Sequence, residues 1–91
     1  MNIECCSFGE MAENILQNNK KIIMFGAGVI GQITTPELLI RHKVLEYLDC
    51  YLDNDLKKWG DFIEIANNRY IIRSPEYLKQ CDENTVILIN I

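Results

Sequence analysis

The chain as a whole lacks an excess of positive charge. Nine lysines and arginines stand against thirteen aspartates and glutamates, a formal net charge of -4, so there is no electrostatic footprint for nucleic acid or for an anionic membrane. Long apolar runs are missing too. No segment reaches the length of a membrane span, and Met1, Asn2, Ile3 and Glu4 do not form a basic region leading into an apolar core. The expectation is a cytoplasmic chain without a secretory leader. Histidine is almost absent: His42 stands alone, and Cys5, Cys6, Cys50 and Cys81 form no C-x-x-C or Cys/His cluster at metal-ligand spacing. That excludes a legible metal site and leaves reduced, partly buried thiols as the reading. Internal repeats and low-complexity linkers are lacking as well. What remains is the composition of one small globular domain, 91 residues with 48% apolar and 24% charged side chains, which argues against disorder and for a compact core.

The chain is organised around residues 20–31, KKIIMFGAGVIG. An unbroken apolar run, Ile22, Ile23, Met24 and Phe25, reads as a strand covered on both faces, as in a parallel sheet. It breaks at once into Gly26-Ala27-Gly28-Val29-Ile30-Gly31. Gly26 permits a tight strand-to-helix turn, Gly28 lets a phosphate approach backbone N–H groups, and Gly31 lets the helix pack near the strand. Free N–H groups and the helix dipole favour negative charge there. A G-x-G-x-x-G placed between an apolar strand and a helical pattern points to a nucleotide or dinucleotide pyrophosphate site.

Around it, Ser7 and Glu10 have capping-box spacing, and Phe8, Met11, Ala12, Ile15 and Leu16 predict an amphipathic helix over residues 8–18. Residues 1–19 are thus an added N-terminal element ahead of a domain at 20–91. After the glycines a helix is expected to about Arg41, with Pro36 either kinking it or restarting it under a Thr34 or Thr35 cap. Residues 44–52 read as the second strand, regular from about Tyr47, and Asp53-Asn54-Asp55 follows. An acid about twenty residues beyond the glycines, at a second strand's end, accepts ribose hydroxyls, and Asp53 stands there. Its charge would repel a 2′-phosphate, favouring NAD over NADP; the plainer alternative is a polar turn. Trp59 is expected to anchor the loop at 57–60. Residues 63–68 are ambiguous, with Asn67-Asn68 as a turn before a short strand, Tyr70-Ile71-Ile72. Ser74 and Pro75 open a further helix with Tyr77 and Leu78 facing inward. Arg73 reads as a solvated loop residue. The final run from Val86 to the C-terminus is another buried parallel strand, whose end brings Asn90 beside the glycine turn. The order is about half of a doubly wound α/β fold with an extra N-terminal helix. Because it stops on a core strand, the chain is expected to be part of a longer protein or to complete its sheet by self-association, with a homodimer as the candidate.

With GAGVIG at 26–31, LDND at 52–55, KKWG at 57–60 and RSPEYL at 73–78, residues 20–91 resemble a bacterial family of small Rossmann domains. These precede sugar O-acyltransferases and nucleotide-sugar acetyltransferases, and similar modules lie beside glycosyltransferases and methyltransferases. The resemblance implies a Rossmann-like parallel sheet binding NAD or a nucleotide sugar through Gly26, Ala27, Gly28, Val29, Ile30, Gly31, Asp53, Asn54 and Asn90. It implies polysaccharide biosynthesis as the setting and a transferase as the larger protein. Two departures stand out: Pro36, and Ala66-Asn67-Asn68-Arg69 in place of the family's Gly-Ile/Val-Pro-Val.

The resulting expectation is a nucleotide-binding recognition or regulatory domain of a carbohydrate-modifying protein. One alternative is the cofactor half of an NAD-dependent oxidoreductase, yet no Tyr-x-x-x-Lys pair is present and His42 falls at the far end of the first helix. A methyltransferase is disfavoured, since the turn is not G-x-G-x-G and no acid precedes it. The last alternative is a structural or oligomerising module with no ligand. No catalytic residue is evident.

Overall fold

The computed structural model describes residues 8–90. An N-terminal helix α1 (Phe8–Asn18) leads into β1 (Lys21–Phe25); a π-helical turn (Ile30–Thr34) then runs directly into α2 (Thr35–Arg41). A 3-10 turn (Leu45–Tyr47) precedes β2 (Leu48–Leu52), another (Leu56–Lys58) precedes β3 (Phe62–Ile65), and β4 (Asn68–Arg73) follows. A longer 3-10 segment (Pro75–Gln80) leads to β5 (Thr85–Ile89). The fold is α/β, with one five-stranded sheet in the order β3-β4-β2-β1-β5. β1 pairs in parallel with β2 and with β5, and β2 in parallel with β4; β3 alone is antiparallel.

Apolar continuity in β1 puts it in the centre. Ile22, Ile23 and Met24 are fully buried because both faces of the strand are covered. On one face Ile22 and Met24 join Ala12 and Ile15 of α1, Leu39 of α2, Tyr51, Ile72 and Leu88 in the main core. On the other, Ile23, Cys50 and Leu52 pack against Tyr77 and Leu78 of the 3-10 segment and Cys81 just after it. Thus α1 belongs to the main core. Each fully buried Ile, Leu or Met contributes about 1.5–3 kcal/mol. No helix among the described residues is long and apolar enough to cross a membrane.

Several local expectations change. The helix after the glycines changes from π to α at Thr35, so an α segment does start there with Pro36 in its first turn, but under no side-chain cap. Thr34 and Thr35 keep helical φ and ψ without side-chain caps, and the widened π turn carries the proline. An α turn would press the Pro36 ring against the carbonyl of Gln32; the wider turn relieves that crowding. Ser74 does cap, its Oγ accepting the Glu76 N–H at 3.2 Å, but the segment is 3-10 rather than α. The ambiguous residues 63–68 span most of the edge strand β3, a two-residue hairpin turn and the first residue of β4. That turn falls on Ala66 and Asn67, φ +50° and +70°, one residue earlier than expected, and two positive φ values are what a type I′ hairpin requires. His42 is half-buried, its ring 5.0 Å from that of Phe8. Ser7, Cys5, Cys6 and Ile91 lie outside the described residues.

Candidate functional site at the glycine turn

The chain leaves β1 toward β2 on one side and later reaches β5 on the other, so the strand order reverses between β1 and β5. Open parallel sheets form their crevice beyond the strands' carboxyl ends at such a reversal. A cavity of about 250 Å³ lies there, lined by Gly28, Val29, Ile30, Gly31 and Asn90. The three glycines of the turn have unequal reasons to be glycine. Gly26 has φ +108°, and a Cβ on it would sit 2.7 Å from the Asn90 carbonyl oxygen. A Cβ on Gly31 would collide with the Gly26 carbonyl and lie 2.7 Å from Asn90 Nδ2. At Gly28 a Cβ would meet no atom within 4 Å, and its φ is an ordinary one. Neither backbone nor packing asks for glycine at position 28.

Asn90 ties the turn together. Its N–H donates to the Phe25 carbonyl at 2.8 Å, extending the β5–β1 ladder by one residue. Its Nδ2 donates to the Gly26 carbonyl at 3.0 Å, and its Oδ1 accepts the Thr35 hydroxyl at 2.7 Å. On the helix, Gln32 Nε2 donates to the Ala27 carbonyl at 2.7 Å, and the first helical backbone bond runs from the Gln32 N–H to the Gly28 carbonyl at 3.0 Å. The N–H groups of residues 28–31 therefore precede any helical acceptor. The Thr35 N–H reaches back five residues to the Ile30 carbonyl. The next donor in that ladder would be Pro36, which has none; the Gly31 carbonyl instead accepts the buried Tyr51 hydroxyl.

Asp53 follows β2, with its side chain 16% exposed. Its Oδ2 accepts the Ala27 N–H at 2.8 Å and its Oδ1 accepts the Asp55 N–H at 2.8 Å, while Lys58 Nζ lies 3.7 Å from Oδ2. Partial burial opposes ionisation. The Ala27 and Asp55 amides and the Lys58 ammonium outweigh it and hold the carboxyl below its ordinary value. Trp59 is anchored as expected, its indole N–H donating to the Asp53 carbonyl at 2.7 Å.

Of the residues expected at the site, Gly28, Val29, Ile30, Gly31 and Asn90 share the cavity, with Gly26 behind it. Ala27 is fully buried and its amide is directed to Asp53. Asn54 is an exposed loop residue. Sequence reasoning missed Gln32, Tyr51 and Lys58 and read Thr35 only as a cap. For Tyr51 a signal existed, since a tyrosine inside a buried strand needs a partner for its hydroxyl; no spacing rule marks the others. The cavity lining holds no titratable side chain; it presents backbone, the apolar Val29 and Ile30 and the Asn90 amide. Among the described residues no group of three or more His, Cys, Asp or Glu is placed to hold a metal ion. Compared with family models, curated proteins and solved structures, the chain matches none.

Proposed function

We propose that this chain is a nucleotide-binding module, for NAD or a nucleotide sugar, built on a Rossmann-like half of a doubly wound sheet. It would act as a recognition or regulatory domain of a larger carbohydrate-modifying protein. The observation that carries the reading is Gly28. A residue with ordinary φ and open space at its Cβ has no internal reason to be glycine, and it lines the cavity where unsatisfied helix-start amides collect. Close approach of a phosphate to the backbone supplies the reason. A second reading, a structural module with no ligand, draws support from the internal use of Asn90 and Asp53.

Thermal unfolding with NAD, NADP, AMP and a panel of UDP-sugars separates the two. A ligand at a hundredfold excess over Kd stabilises by about 2.7 kcal/mol, several degrees in a domain this small. One of these ligands is expected to raise the Tm of the wild-type protein. Gly28→Ala should lose that rise while keeping the unliganded Tm, whereas Gly26→Ala and Gly31→Ala should lower the unliganded Tm itself. If no ligand moves the wild-type protein, the structural-module reading stands instead.

A further inference from the structure

We propose that Asp53 is a positioning residue that aims the anion-binding turn, and that it acts on the ligand through Ala27 rather than by reading a ribose. The inference rests on the nucleotide-binding reading. Two successive amides of the turn are pinned to two successive residues at the end of β2: the Gly26 N–H to the Leu52 carbonyl at 2.7 Å, and the Ala27 N–H to Asp53 Oδ2 at 2.8 Å. The next amide, that of Gly28, belongs to the residue that opens on the cavity. Asp53 is itself held from both sides. Its N–H donates to the Arg73 carbonyl at 3.2 Å and its carbonyl accepts the Trp59 indole at 2.7 Å, so the carboxylate stands on a fixed base. Its second oxygen accepts the Asp55 N–H, and Lys58 lies 3.7 Å away. Every strong interaction of this carboxylate is thus directed inward, toward the loop and the turn.

A ribose reader and a turn positioner fail differently when lost. Binding of NAD and of inorganic pyrophosphate is measured by calorimetry on the wild-type chain, Asp53→Ala and Asp53→Asn. Backbone amide exchange at Ala27 is followed by NMR without ligand. The expected result is that Asp53→Ala weakens both ligands by the same factor, about tenfold, the effect of losing one backbone-directed bond to a charged group. Asp53→Asn should restore the binding of both in part, because its one amide oxygen can still accept the Ala27 N–H while the contact to the Asp55 N–H is given up. Exchange at Ala27 should quicken in Asp53→Ala and not in Asp53→Asn. Loss of NAD binding with pyrophosphate binding retained in Asp53→Ala would overturn the inference and leave the nucleotide reading intact. Wild-type protein that binds NAD but not pyrophosphate would overturn it equally. If wild-type protein binds neither, the nucleotide reading fails, the proposed action on a ligand falls with it, and Ala27 exchange then reports only whether Asp53 holds the turn.

Discussion

Asp53 joins three backbone segments through one residue: the glycine turn at Ala27, the loop at Asp55 and Trp59, and the end of β4 at Arg73. Its acid-base behaviour carries a consequence for stability. The folded protein holds this carboxyl below its ordinary value of about 4, so folding favours the ionised form. The associated stability is fully present above the unfolded value and is lost as pH falls through the lower, folded one. Urea titrations in steps from pH 6 to pH 2 should therefore show the wild-type protein losing stability below about pH 4 more steeply than Asp53→Asn. Parallel curves would mean that the carboxylate gains nothing from its partners.

At the scale of elements, the π turn couples helix and strand. Pro36 removes one donor, the Thr35 N–H goes to Ile30, and the Gly31 carbonyl depends on Tyr51 from β2. Tyr51→Phe leaves that carbonyl unpaired in the interior and should cost about 1–3 kcal/mol. Pro36→Ala lets the helix close an ordinary turn and offer Gly31 a backbone donor. In that background Tyr51→Phe should cost less, a coupling that a double-mutant cycle in chemical denaturation measures directly. Additive effects would show that the two residues act independently. The β3–β4 hairpin shows the same precedence of context over local preference: Ala66 takes a left-handed φ of +50° because the two-residue turn must match the twist of its strands.

For the molecule as a whole, the two faces of the sheet are covered unequally. The main core carries α1 and α2, whereas Ile23, Cys50 and Leu52 are sheltered chiefly by the short 3-10 segment through Tyr77 and Leu78. Cys50 reports on that cover. Burial, with Asp49 adding to it against the opposing influence of Arg73, pushes its thiol up to about 12, so almost no thiolate exists at neutral pH. Alkylation by iodoacetamide at pH 8, mapped by mass spectrometry, should modify Cys50 only through opening of the fold and should accelerate with urea in step with unfolding. Modification of the native protein at the rate of a free cysteine would show that this face opens on its own.

The sequence by itself determined the parts that local chemistry dictates. An apolar run needs two covered faces, so β1 had to be central. Gly26 and Gly31 had to serve a tight turn against a strand, and Ser74-Pro75 had to start a helical segment because hydroxyl and ring both suit that position. The helix at 8–18 followed from its apolar spacing. Tertiary structure alone decided the rest. How the carbonyl left without a donor by a proline is satisfied depends on a group arriving from another strand, here the Tyr51 hydroxyl. Whether residues 63–68 form a strand depends on the edge that β4 offers. Whether the amide of Ala27 faces a ligand or a carboxylate depends on how close the end of β2 comes to the turn. The first and last of these are contacts between residues 20 or more positions apart, and no pattern of neighbours along the chain encodes their geometry.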